Sequence, residues 1–254
     1  MYRVQFRVRR RRVRAWTMKA IRGPVAVIGR PGTEAPLFAR LLSARLRAAE
    51  PLSVRVAAAA EVSHNTHVGV QIAARVANSA EVGHLLPSSL VAPLVQPRIQ
   101  RALSTGRICI MSNFPRTSDQ LRMLQQSGMP TPLVLHLELS RLDAERRVAD
   151  RRVCDSCGDP MYPMPAVAGA PGGLHVHLIE ADCDAPAPRQ HALDLGVALK
   201  RRLDAFDQHT VPLLKELRGR GAVHDIALGD TAEATWDAVL AACGLPPDTT
   251  GPTR

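Results

Sequence analysis

The sequence predicts a single α/β domain built on a doubly wound, parallel five-stranded sheet. Short apolar runs near residues 24–28, 53–56, 107–111, 133–137 and 222–227 alternate with helical stretches, as the strands and crossovers of a parallel sheet do. A chain of 254 residues with 46% apolar content can bury one such core. It contains no apolar run long enough to cross a bilayer, so no membrane partner is expected. Ligands of these sheets bind beyond the carboxyl ends of the strands.

The first predicted strand runs into a Gly-Pro-Gly turn and then a helix, the layout of a phosphate-binding loop. Loops of the form G-x-x-x-x-G-K-[ST] bring backbone N–H groups onto phosphates, and add a lysine for charge and a hydroxyl for Mg²⁺. Gly29 and Gly32 are present. The positions of the second loop glycine, the lysine and the hydroxyl are taken by Glu34, Ala35 and Leu37. A carboxylate is therefore predicted where phosphate would lie.

No shift of register restores the missing lysine, because no lysine occurs between Lys19 and Lys200. The turn alone is weak support for a nucleotide site, since Gly-Pro-Gly after a strand is often only a turn.

Three later segments strengthen the prediction of a nucleotide site. They are GRICIMSNFPRTSDQ (106–120), ERRVADRRVCDSCG (145–158) and LKRRLDAFDQHTVPLLKELRGRGAVHDI (199–226).

With these segments in order, the chain from Gly23 to Cys243 resembles the adenylate kinase family of nucleoside monophosphate kinases, which have a P-loop fold. The first segment resembles the family's D-G-F-P-R-T-x-x-Q, the second its helix leading into the lid, and the third its helix leaving the lid. The resemblance implies a basic arm or targeting segment at 1–22, a kinase-like domain at 23–244 and a polar tail at 245–254. Within the domain it implies a monophosphate-binding flap at about 53–85 and a lid insertion at about 152–188.

The resemblance also implies roles for matching residues. Arg116 would hold the phosphate of the monophosphate and Gln120 would read the adenine edge. Arg147 would stack on adenine and Arg151 would clamp phosphates. Arg202 matches a further arginine on the helix that leaves the lid. The nucleotide-binding set is Gly29, Gly32, Arg116, Gln120 and Arg147, and Arg151 and Arg202 are the catalytic remnants.

Several of the family's functional groups have no match here. The aspartate that helps to place Mg²⁺ is Ser112, the glycine after it is Asn113, and an arginine for the monophosphate falls near Ala59. The arginine-aspartate-aspartate stretch before the exit helix appears only as 180–184, without its arginine. Phosphoryl transfer depends on positioned positive charge and Mg²⁺, and an arginine finger alone contributes about 10³–10⁵ in rate. Negligible turnover is expected, with a working ATP/AMP kinase or a non-catalytic adenine nucleotide sensor as the alternatives.

Cysteines in the predicted lid indicate a possible structural zinc site. The Cys154-x-x-Cys157 pair matches the first half of a zinc ribbon, and Cys183 supplies a third thiolate. His175, His177 and Glu180 are candidates for the fourth ligand. The alternative is a vestigial pair kept reduced.

The net charge of +10 is concentrated at the N-terminus, where nine basic residues precede Gly23. They include Arg9, Arg10, Arg11, Arg12 and Arg14. An Arg-rich, acid-poor segment is typical of a mitochondrial presequence, but also of an arm that neutralises RNA phosphates, or of a solvated tail. Eight aromatic residues are too few for a base-stacking platform, so RNA contact would be electrostatic. The sequence therefore favours a structural subunit of a large assembly, a mitochondrial ribonucleoprotein such as the ribosome.

Overall fold

The computed structural model describes residues 23–46, 50–78, 83–153, 160–162, 174–175, 189–229 and 232–247. Its strands are β1 Val25–Gly29, β2 Glu50–Ser53, β3 Cys109–Ser112, β4 Leu133–Glu138, β5 Arg152–Val153, β6 Pro160–Tyr162, β7 Leu174–His175 and β8 Val223–Ala227. Its α-helices are α1 Ala35–Arg45, α2 Val54–Ser63, α3 His67–Ala77, α4 Ser88–Ser104, α5 Ser118–Gln126, α6 Arg141–Asp150, α7 Gly196–Ala205, α8 Val211–Gly219 and α9 Ala232–Ala242. A 3₁₀ turn at Ala192–Asp194 precedes α7, and a π-helical turn at Phe206–Thr210 joins α7 to α8.

The central sheet has five parallel strands in the order β2-β3-β1-β4-β8, which confirms the predicted fold class. Val25 in β1 lies opposite Ile110 in β3 and Leu133 in β4. After β1 the chain forms β2 at one edge of the sheet and then β3 between β2 and β1. The later strands β4 and β8 are added on the other side of β1. Because the order reverses at β1, the carboxyl ends of β1 and β3 border a crevice where ligands bind in such sheets.

Helices cover both faces of the sheet, as strands buried on two sides require. Val25 and Val27 pack on one side with α1 and α9, in a layer that contains Phe38 and Leu240. Ala26 and Ile28 pack on the other side. That second layer is supplied by α4, α5 and α8 through residues such as Leu94, Leu121 and Leu214. Within the described part of the chain, no helix is long and apolar enough to cross a membrane.

Four predicted strands lie where the sequence indicated, but the second prediction, 53–56, was wrong by three residues. The strand is Glu50–Ser53, and Val54 already begins α2. Ser53 is the reason, because its side chain accepts a hydrogen bond from the Val56 N–H at 3.4 Å and so caps the helix. An alanine-rich run follows and favours helix.

Between α6 and α7 the chain forms a small antiparallel sheet, β5-β6-β7. These strands fall inside the predicted lid insertion at 152–188. The cysteines of the zinc prediction, Cys154, Cys157 and Cys183, lie outside the described residues, as does the basic arm with Arg9, Arg10, Arg11, Arg12 and Arg14. The zinc site and the domain boundaries stay predictions.

Candidate nucleotide site

The loop after β1 is folded onto itself. Thr33 is 1% exposed, and its hydroxyl donates to the Arg30 carbonyl at 2.8 Å. Its backbone N–H donates to the same carbonyl at 3.1 Å. A Cβ atom built on Gly29 would lie 2.2 Å from Thr33 Oγ1. The Thr33 side chain therefore occupies the space directly above Gly29, where an open phosphate-binding loop needs room for its ligand.

Asn113 closes the loop from the neighbouring strand. Its Oδ1 accepts a hydrogen bond from the Gly29 N–H at 3.1 Å, while its own N–H donates to the Val27 carbonyl at 2.8 Å. The residue adopts a left-handed backbone with φ of 49°, a conformation that asparagine tolerates better than most residues. A backbone donor that a phosphate-binding loop would offer to its ligand is therefore already bonded within the protein.

Glu34, at the position of the second loop glycine, also has a left-handed backbone, with φ of 56°. Its side chain is only 9% exposed, and its carboxylate accepts from Arg151 Nε at 2.8 Å and from Nη2 at 3.3 Å. Glu34 therefore lies against Arg151, the arginine that the resemblance expects to clamp phosphates.

Asp194, just before α7, extends this contact into an ion-pair chain of Glu34, Arg151, Asp194 and Arg202. Arg151 Nη1 donates to Asp194 Oδ2 at 2.6 Å, and Arg202 Nη1 donates to Asp194 Oδ1 at 2.5 Å. The Asp194 side chain is 2% exposed. Arg151 and Arg202, the two residues predicted to be catalytic by resemblance, therefore both contact carboxylates of the protein itself.

Sequence reasoning missed Asp194. The family's arginine-aspartate-aspartate stretch was sought at 180–184, which lies outside the described residues, whereas His191–Asp194 lies directly ahead of the exit helix. The sequence spacing could have pointed to Asp194, because it precedes Arg202 of the exit helix by eight residues.

Three other predicted residues lie around the same crevice. Arg147 Nε donates to the Gly32 carbonyl at 3.0 Å, across the outside of the loop. Gln120 is 4% exposed, and its Oε1 accepts from the Arg116 N–H at 2.8 Å. The Nε of Arg116 is buried and has no hydrogen-bond partner within the described residues, as is the case for Arg30 Nε.

The electrostatics of the crevice are positive. Burial, and then the charge of Arg202, lower the pKa of Arg116 to about 10. Burial lowers the pKa of Arg55, and the neighbouring Arg151 and Arg202 lower it further while Glu34 opposes them. The pKa of His191 is lowered mainly by burial. Sequence reasoning did not identify Arg55 as a member of this group.

A second polar cluster lies at the other edge of the sheet, where His136, Glu138 and Asp225 bring possible metal-ligating atoms within 4.8 Å of one another. His136 Nδ1 lies 2.7 Å from Asp225 Oδ1. Arg218 Nε donates to Asp225 Oδ2 at 2.9 Å, and Arg218 Nη2 lies 3.2 Å from His136 Nδ1. A guanidinium already supplies the positive charge there, so a metal ion would have to displace it.

The parallel sheet, the loop after β1 and the converging arginines define a nucleotide kinase-like protein. No protein-family model matches the chain. Curated relatives do: an adenylate kinase of Syntrophotalea carbinolica is 28% identical over 229 residues, which is 86% of this chain and 98% of that protein. An adenylate kinase of Moorella thermoacetica is 29% identical over 63% of this chain and 70% of its own length, and one of Streptomyces griseus is 26% identical over 72% and 80%. The chain is therefore similar to adenylate kinases over most of its length.

Proposed function

We propose that this adenylate kinase-like protein does not transfer phosphate between ATP and AMP. The observation that carries the proposal is the buried Glu34 carboxylate, which contacts Arg151 at 2.8 Å. A carboxylate at that position repels the triphosphate and competes with it for the clamping arginine. Thr33 and Asn113 add to the effect by filling the loop and engaging a donor.

The residue types support the same proposal. Transfer needs a lysine on the β/γ-phosphates and a group that helps to place Mg²⁺, but this chain has Ala35 and Ser112 at those positions. A missing transition-state contact of this kind typically costs about 10²–10³ in kcat. Several such losses together leave negligible turnover, even allowing for non-additivity.

The test is a coupled assay that measures ADP formed from ATP, AMP and Mg²⁺ by the purified full chain. The matched control is Arg202→Ala, which removes the arginine of the exit helix. We expect the two proteins to give the same background rate. A rate for the natural chain well above that of Arg202→Ala would establish a working kinase and overturn the proposal.

We further propose that the protein serves as a structural subunit of a mitochondrial ribonucleoprotein such as the ribosome. The support lies in the sequence: nine basic residues precede Gly23, and the arm contains no acidic residue that would offset them. Such a segment neutralises RNA phosphates without reading sequence. The RNA partner, the other subunits and the mitochondrial location all depend on this arm and on the loss of transfer.

Native purification of the tagged protein, with sizing and a nucleic-acid stain, tests the structural role. The expected result is a large RNA-containing particle from which a variant without residues 1–22 is released at lower salt. Recovery of a lone monomer without RNA would contradict this role, and so would association with RNA-free complexes only.

A further inference from the structure

We propose that the folded domain binds the phosphate backbone of double-stranded RNA at the amino ends of its parallel strands. The binding surface, called the amino-end patch, consists of Arg98, Arg101 and Arg107. It lies at the opposite end of the strands from the nucleotide crevice, because Arg107 comes just before β3 and the crevice begins where β1 and β3 end. This inference rests on the proposed ribonucleoprotein role and deepens it, by adding a described surface to the basic arm.

Contacts at the end of α4 bring these arginines together. Arg98 and Arg101 are three residues apart in α4, a spacing at which Cβ atoms on one helix face lie about 5–6 Å apart. The chain then turns back tightly, since Thr105 Oγ1 donates to the Arg101 carbonyl at 2.8 Å. The Arg107 N–H donates to the Ala102 carbonyl at 2.8 Å. Arg101 and Arg107 therefore border one turn, and both are exposed.

The register of the central sheet brings the start of the domain to the same place. Val25 in β1 lies opposite Ile110 in the neighbouring strand β3. Continuing that register by two residues sets Gly23 beside Ile108, the residue after Arg107, at the spacing of about 4.8 Å that separates paired strands. The nine basic residues that precede Gly23 in the sequence are therefore joined to the domain next to the amino-end patch.

The two segments that meet at this patch contain no acidic residue. The sequence has no Asp or Glu before Glu34, and none between Glu81 and Asp119, a stretch that includes α4 and β3. Among the described residues, neither Arg98 nor Arg101 forms an ion pair with a carboxylate. The positive charge of the patch therefore has no carboxylate on its own segments to offset it, and it adds to the charge of the arm.

The chemistry of the partner follows from these side chains. A guanidinium presents a planar fork of N–H groups that matches two oxygens of a phosphate. A nucleic-acid duplex carries about one negative charge for every 1.7 Å of its axis, so arginines on one surface meet several phosphates at once. Residues 88–108 include no Phe, Tyr or Trp that could stack on an unpaired base. The partner is therefore a paired RNA backbone, bound through its phosphates without reading of its sequence.

Fluorescence anisotropy of the full chain with a labelled RNA duplex of about 20 base pairs, at several KCl concentrations, tests the inference. The test variant is Arg101→Gln/Arg107→Gln, which removes two exposed charges from the patch. Each neutralised phosphate contributes about 0.7–0.9 to the slope of log K against log salt. The slope should therefore become shallower by about 1.4–1.8, and the Kd should rise about tenfold or more near 0.1 M salt.

The matched control is Arg146→Gln/Lys200→Gln, which changes the net charge equally. Its two residues are exposed on α6 and α7, the helices that border the lid, and each lies beside a carboxylate, at 3.6 and 2.8 Å. This control should keep the salt slope of the natural chain. Circular dichroism of each variant confirms that the fold is intact.

The inference is overturned if the patch variant keeps the salt slope of the natural chain, or if the control variant loses as much affinity as the patch variant. Either result would leave RNA binding to the arm, so the proposed ribonucleoprotein role would stand. Failure of the natural chain to bind the duplex would contradict both proposals. Loss of affinity for phosphatidylserine vesicles in the patch variant, without loss of affinity for RNA, would assign the surface to a membrane and overturn the inference.

Discussion

Glu34→Gln is the most informative perturbation of the ion-pair chain, because it removes one charge while keeping the size of the side chain. Glu34 is 9% exposed and Arg151 is 17% exposed, so the pair is shielded from water. In the variant, Arg151 Nε and Nη2 lose a carboxylate at 2.8 and 3.3 Å. The glutamine side chain has one acceptor oxygen and no charge, so it can replace only part of the interaction between the carboxylate and Arg151.

The expected loss of stability can be bounded from these contacts. Removing one partner of a buried ion pair typically costs about 3–5 kcal/mol, because the other charge stays buried without compensation. Here Arg151 keeps Asp194 as a second acceptor at 2.6 Å. We therefore expect a smaller decrease in the free energy of unfolding, about 1–3 kcal/mol, close to the value of charged hydrogen bonds.

Urea unfolding followed by circular dichroism measures this change as a shift in midpoint at unchanged slope. Glu145→Gln is the matched control: its carboxylate lies 3.3 Å from Arg141, but both side chains are well exposed, at 46% and 36%. That variant should stay within about 0.5 kcal/mol of the natural chain. If Glu34→Gln is no more destabilising than Glu145→Gln, the reasoning that Glu34 and Arg151 form a buried, stabilising ion pair is refuted.

Three further predictions concern the rest of the domain. Arg218 and then His136 hold the pKa of Asp225 at about 2, below its ordinary value of 3.8, so this carboxylate stabilises the fold above about pH 4 and loses that contribution as the pH falls toward 2. Thermal melts should show the difference between the natural chain and Asp225→Asn shrinking over that interval; a difference that is independent of pH would contradict the assignment. Leu135→Ala should cost about 2–5 kcal/mol because Leu135 is fully buried, whereas Leu142→Ala, at a 56% exposed position, should change the free energy of unfolding by less than about 0.5 kcal/mol. Burial raises the pKa of the Cys243 thiol to about 12, so iodoacetamide at pH 8 should leave this cysteine unmodified in the native protein and label it after unfolding, as peptide mass spectrometry would report.

The architecture was largely predictable because it depends on local patterns. Alternating burial in β1, with Val25 and Val27 on one side and Ala26 and Ile28 on the other, requires helices on both faces. The second strand was misplaced because a single capping residue, Ser53, decided where α2 begins. Capping is a short-range effect that an apolar pattern does not reveal.

The candidate site was predictable only in part. Residue identity was enough to show that Glu34, Ala35 and Leu37 take the positions where a phosphate-binding loop has its second glycine, its lysine and its hydroxyl. It did not reveal Asp194, because its partners Arg151 and Arg202 meet it only through the tertiary fold. Arg55 was missed as well, since an arginine in an alanine-rich helix is ordinarily a solvated residue.

The sequence by itself determined the class of fold and the loss of phosphate-binding groups, because both follow from residue types and their periodicity along the chain. The tertiary structure decided which charges meet. Glu34 and Arg151 are 117 residues apart, and Arg151 and Asp194 are 43 apart, so no local pattern couples them. Packing of the lid-bordering segments against the loop after β1 brings these side chains together in a poorly solvated crevice. There a charge is tolerated only beside its opposite.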